Sequence, residues 1–111
     1  MNEARTKGSL LEAERPVHAE AEIEYIPPES GGRRHPVVSG YRGQLYYNGH
    51  DWDAIQSFLV ESVPFGESVP VRLWLASPDA HRDHLKPGTI FLVREGSHTV
   101  GYGHITKILG L

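Results

Sequence analysis

Leu85 to Gly110, LKPGTIFLVREGSHTVGYGHITKILG, is the stretch whose reading decides the fold. It contains two runs of β-formers, Thr89–Val93 and Thr99–Leu109, joined by Arg94-Glu95-Gly96-Ser97-His98. Val100 and Tyr102 sit on alternate positions of the second run, Ile105 and Leu109 fall on the opposite phase, and Gly101 and Gly103 interrupt it. Period-two patterning with a glycine-containing connector reads as a hairpin. Glycines within a strand mark a bend, a bulge or the close approach of another backbone, and a sheet that closes on itself needs such bends. The pattern predicts the closing hairpin of an all-β domain.

Working outward, Ser68–Ala76 alternates Val69, Val71, Leu73 and Leu75 against Pro70, Arg72, Trp74 and Ala76, a strand expected to be apolar on both faces at its far end. Ala19–Ile26 alternates small or apolar residues against Glu20, Glu22 and Glu24, a strand with one wet face. Pro27-Pro28 ends it, because proline cannot donate to a ladder. Residues 29–34 form a loop in which Gly31-Gly32 gives backbone freedom. Val37-Val38 and Gly43–Tyr47 read as the next pairing segments. Asn48 to Glu61 is ambiguous, since Trp52, Ile55, Phe58 and Leu59 fit helical spacing without a clean cap. Ser77–Gly88 reads as a long polar connection. Six or seven strands with turn signals every ~8–12 residues are the pattern of a small barrel or sandwich.

At 111 residues the chain is one domain able to bury one core. A net charge of −3 exerts no global pull toward nucleic acid or an anionic membrane. The absence of cysteine excludes disulfides and thiolate zinc sites. No apolar run approaches the ~18 residues of a membrane span and no signal-peptide core follows Met1–Lys7, so the expectation is a cytoplasmic protein. Residues 1–16 are polar and mixed in charge, and read as a flexible extension in which Leu10-Leu11 is the one apolar anchor.

The segment REGSHTVGYGHITKILG resembles the end of the C-terminal barrel domain (domain 3) of elongation factor Tu. Arg94, Glu95, Gly96, Thr99, Val100, Gly101, Gly103, Lys107 and Leu109 stand in register with that pattern. Gly31-Gly32-Arg33 and Gly40-Tyr41-Arg42 with Gln44 resemble the same domain's GGR and GYRPQF segments. The resemblance covers roughly residues 17–111. It implies a stand-alone antiparallel β-barrel and decides residues 48–61 for strand, with Asp51 matching an aspartate of a loop between strands.

The resemblance also orders the functional readings. The guanine-nucleotide machinery of such factors belongs to another domain with a G-x-x-x-x-G-K-[ST] phosphate loop. Thr6-Lys7-Gly8-Ser9 has neither that spacing nor a preceding strand, so no guanine nucleotide and no cofactor are expected. In the family this barrel helps hold aminoacyl-tRNA through its sugar–phosphate backbone and also faces protein partners. Carried over by position, Arg33, Arg42, Gln44, Glu95 and Gly96 match family positions, and Arg34 replaces a neighbouring histidine. Asp53 stands where the family carries a hydroxyl, and Ser77 where it can carry a lysine or histidine. Each lost phosphate contact removes part of the counterion-release affinity. The reading is therefore a protein-interaction module that docks onto, or competes for, translation-factor partners, with homo-oligomerisation as a variant. A tRNA-binding module is the alternative.

Catalytic chemistry finds no support. Ser97-His98 are strand neighbours that point to opposite faces, and paired carboxylates are not evident. Of the seven histidines, His81-Arg82-Asp83-His84 with His50-Asp51 is the one grouping with metal-ligand chemistry. Without a third ligand at diagnostic spacing, these histidines read as surface residues of a polar loop and no metal is assigned.

Overall fold

The computed structural model describes residues 16–111. Among them are seven strands: β1 (Ala19–Tyr25), β2 (Gln44–Tyr47), β3 (His50–Trp52), β4 (Ala54–Phe58), β5 (Ser68–Leu75), β6 (Ile90–Glu95) and β7 (His98–Ile108). A 3-10 turn at Pro28–Ser30 and a one-turn helix, α1 (Pro78–His81), complete the regular structure described.

All strand pairings are antiparallel, in the order β3-β2-β6-β7-β1-β5-β4. The two ends of that order are consecutive in sequence, Trp52 and Ala54 being separated by Asp53 alone. One bent segment therefore ends the sheet on one side and begins it on the other, which closes it into a small barrel. A bridge between Tyr41 and Gln56 seals the same seam. The Gln56 N–H donates to the Tyr41 carbonyl and the Gly40 N–H to the Gln56 carbonyl, both at 2.9 Å.

Inward positions follow the period of two. Ala19, Ala21, Ile23 and Tyr25 of β1 are buried, while Glu22 is exposed and Glu20 and Glu24 are half-buried. On β5, Val69, Val71, Leu73 and Leu75 are buried, Pro70 and Arg72 are exposed and Trp74 is half-buried. Towards the far end of β5 the half-buried Trp74 stands on the outer face between the buried Leu73 and Leu75. Tyr25, Phe91, Ile23, Leu45, Leu73, Leu75, Ile105, Val93 and Val100 fill the barrel.

The β7 glycines act by close approach. A Cβ at Gly103 would stand 2.2 Å from the Glu22 carbonyl oxygen and 2.9 Å from the Ile23 side chain. The phase change in β7 has two sources. Register shifts fall between Val93 and Arg94 on the β6 side and between Glu20 and Ala21 on the β1 side. The first leaves Val100 between the pairs Val93↔Gly101 and Arg94↔Thr99. Val100 is buried while Tyr102 is exposed, as expected when an extra residue enters one strand.

Several expectations change. Val37-Val38 is not a strand, although Val37 accepts a hydrogen bond from the Val63 N–H at 3.2 Å. The connector of the closing hairpin shrinks to Gly96-Ser97, because Arg94 and Glu95 continue β6 and His98 begins β7. Asn48-Gly49, with φ of 53° and 78°, is a two-residue hairpin turn with both central residues left-handed, and strands follow it. The connection 77–88 is not uniformly polar surface: α1 lies in it, and His81 and Leu85 are buried. His18 is buried as well, with Nδ1 accepting from the Leu75 N–H at 2.9 Å. The reading of the His50, His81 and His84 grouping as surface residues therefore fails for His81. Leu10-Leu11 and most of the N-terminal extension lie outside the described residues.

Candidate functional site: the Arg33–Tyr41–Glu95 face

Three of the matched segments meet where the closing hairpin ends. Glu95 is the last residue of β6, and Gly96, at φ 61°, turns the chain into β7. The loop after β1 brings Arg33 over this turn: its Nε donates to Glu95 Oε2 at 2.8 Å and its Nη1 to the His35 carbonyl at 2.7 Å. The guanidinium also lies over the Tyr41 ring, 4.9 Å from its centroid. The Tyr41 hydroxyl donates to the same Glu95 oxygen at 2.5 Å. One carboxylate oxygen thus collects a guanidinium and a phenol from two loops.

The electrostatics follow from this geometry. Burial pushes the Glu95 carboxyl up, but the hydrogen bonds from Tyr41 and Arg33 and the nearby positive charge outweigh it and hold Glu95 below its ordinary value. Burial, then the bond and charge of Glu95, push the Tyr41 phenol well above its ordinary range, with Arg33 opposing. At neutral pH the cluster is an ionised, internally satisfied pair capped by a neutral phenol.

A second arginine is spent in the same way. Arg94 Nη2 lies 3.2 Å from Asp51 Oδ2, and its guanidinium stacks 4.2 Å from the Tyr46 ring centroid. Gln44 sits opposite Arg94 on β2, and its amide reaches Asp53 Oδ1 at 3.5 Å. Arg34 and Arg42 are exposed and form no ion pair among the described residues. Arg34 lines an open groove of about 500 Å³ with Gly32, His35, Glu95 and His98. The His98 ring nitrogen is 2.5 Å from the Gly31 carbonyl oxygen, tying the groove's far wall.

Of the residues expected at the site, Arg33, Arg34, Glu95 and Gly96 therefore come together, Gln44 lies beside them on β2, and Arg42 points into solvent. Sequence reasoning missed Tyr41 as the hub. Its signal was its place between Gly40 and Arg42 in a segment that had to bend back over the barrel seam. It also missed the pairing of Arg94 with Asp51, which only strand register brings about.

The matched segments thus meet at one corner of the barrel, and residues 14–109 match the family described as elongation factor Tu C-terminal domain. The chain belongs to that family. Spanning residues 14–109 of 111, the likeness extends over nearly the whole chain rather than the closing hairpin alone. Membership accounts for the all-β barrel and connects the chain to translation-factor domains.

An apolar edge adjoins this elongation factor Tu-like face. Ser39 Oγ donates to the Phe58 carbonyl at 3.1 Å and accepts from the Phe58 N–H at 2.7 Å. With Tyr41 opposite Gln56, this antiparallel register puts Val38 opposite Leu59. Val38, Leu59 and Val60 are 55%, 79% and 46% exposed. Among the described residues no three His, Cys, Asp or Glu side chains are grouped to hold a metal ion, and no helix is long and apolar enough to cross a membrane.

Proposed function

We propose that this domain is a non-catalytic protein-interaction module that docks onto a translation-factor-type protein through the edge formed by Val38, Leu59 and Val60 and the adjoining Arg33–Tyr41–Glu95 face. The observation that carries the reading is the division of labour on this side of the barrel. Arg33 and Arg94, beside the matched turn, are held by Glu95 and Asp51, while the neighbouring apolar side chains are left exposed among the described residues. A phosphate chain would have to compete with two carboxylates for those guanidiniums, and each contact forgone weakens salt-dependent affinity. A protein partner gains from covering Leu59 and Val38, since clustered exposed apolar residues mark such contacts, and Arg33 stacked on Tyr41 is the kind of rigid rim that favours it.

Isothermal titration against the nucleotide-binding domain of elongation factor Tu and against its exchange factor tests the reading, with labelled tRNA in a parallel arm. The expected result is micromolar binding to a protein partner that Leu59→Asp or Val38→Asp abolishes. Concentration-dependent self-association lost in the same variants would assign the edge to a second copy. The reading fails if tRNA binds tightly, weakens as salt rises, and drops on Arg34→Ala or Arg42→Ala.

A further inference from the structure

At the opposite end of β2 from Glu95, the Asn48-Gly49 turn and α1 enclose an open pocket of about 360 Å³, lined by Tyr47, Asn48, His50, Trp52, Ala80 and His84. That volume falls in the range of roughly 300–1,000 Å³ usual for small-ligand sites. Its walls are π-systems. The rings of Tyr47 and Trp52 lie 6.5 Å apart, and His50 is 5.9 Å from Trp52. Behind them stands the buried His81, whose Nδ1 is hydrogen-bonded to the Tyr47 hydroxyl and whose ring meets Trp52 edge-on at 4.7 Å. His81 is thus a positioning residue that fixes both walls. This is the corner where the sequence reading weighed His50, His81 and His84 as metal ligands. Instead His81 turns into the core while His50 and His84 remain on the rim.

We infer that this pocket binds an uncharged planar nitrogen heterocycle of the nucleobase class, stacked on Trp52 and hydrogen-bonded at its edge by Asn48, His50 and His84. Three features select that chemistry. Indole and phenol faces offer the sequence-tolerant stacking that bases find on aromatic side chains. The rim supplies donors and acceptors together, because an amide has both and an imidazole nitrogen can serve as either, matching the mixed edge of a base better than a hydrocarbon ring. Among the described residues no lysine or arginine lines the pocket, so none of them offers a cation to a phosphate attached to the base. The base can come from a free nucleoside or from a single strand, and the test separates the two.

The experiment uses the full chain labelled with nitrogen-15 and follows its two indole N–H resonances. Trp52 lines the pocket, whereas Trp74 lies on the outer side of β5 near Pro16 and serves as the internal control. Adenosine and uridine are expected to shift the Trp52 resonance saturably at millimolar concentration or below, leaving Trp74 in place, and a 5′-phosphate is expected to bring no gain. His84→Ala and His50→Ala, both exposed positions, are each expected to weaken binding by about threefold or more. A short single-stranded RNA binding much more tightly than nucleosides would assign the base to a strand, and equal affinity would assign it to the free nucleoside. No saturable shift at Trp52, equal shifts of both indoles, unchanged affinity in both histidine variants, or tighter binding of N-acetyltryptophanamide than of any nucleoside would each overturn the inference.

Discussion

Gln56 carries more than its position in a short strand suggests. Its side chain is fully buried, accepts from the Tyr25 hydroxyl and donates to the Gly43 carbonyl at 3.0 Å. Burial drives the Tyr25 phenol far above its ordinary range, so it remains a neutral donor. Truncation leaves two buried groups without partners at the barrel seam. Gln56→Ala is therefore expected to cost about 2–4 kcal/mol, read from urea unfolding. The Arg33–Glu95 pair is worth less despite its geometry, because Glu95 is 39% exposed and water screens the attraction. Glu95→Gln is expected to lower stability by only about 0.5–1 kcal/mol in the same measurement. Nothing in the sequence ranks these residues so, since an isolated glutamine carries no sign of burial and Arg33 and Glu95 lie 62 residues apart.

At the scale of elements, β7 binds the barrel together by pairing with both β1 and β6. Its glycines permit the β1 contact. Gly103→Ala would push a methyl into the Glu22 carbonyl and the Ile23 side chain, so a loss of about 2–3 kcal/mol or more is expected, with faster amide exchange in β1 and β7 than in β2. The Asn48-Gly49 turn makes a gentler case. Gly49 has φ 78° and nothing near its would-be Cβ, so Gly49→Ala is expected to cost about 1 kcal/mol through backbone strain alone. That turn was written in the sequence as an Asn-Gly pair between alternating residues, the strongest short-range hairpin signal. The apparent helical spacing of Trp52, Ile55, Phe58 and Leu59 masked it. Those residues divide between β3, β4 and the exposed loop beyond because the chain bends at Asp53. The one-turn helix at Pro78–His81 was illegible for a different reason: too short for a period, it is held by the burial of His81 and Leu85 rather than by propensity.

For the whole molecule, pH acts mainly through two buried imidazoles. Burial lowers the pKa of His18 and, with the nearby His18 and His84, that of His81 below the ordinary 6.5. The unfolded chain then binds protons that the folded chain refuses, so stability is fully present above about pH 6.5 and falls as pH drops through the folded-state values. Glu95, also held low, loses its contribution in the same direction at still lower pH. Urea midpoints are expected to fall progressively from pH 7.5 to 5, and His81→Gln is expected to flatten part of that slope. A midpoint independent of pH over this window would contradict the burial of both rings.

The sequence by itself determined the class of fold and most of its strands. Alternation on β1 and β5 and the glycine-punctuated hairpin of β6 and β7 are local patterns that the sheet period enforces. The matched segments identified the family and named four residues of one face. Only the tertiary structure decided what those residues are free to do. Whether Arg33 meets a partner or Glu95, whether Arg94 meets solvent or Asp51, and whether a histidine is surface or core depend on contacts between chain segments tens of residues apart. Those contacts follow from barrel closure at Asp53 and from which distant strands pair, which no single local pattern displays. The same closure brings the β2–β3 turn against α1 and shapes the aromatic pocket, which has no linear motif at all.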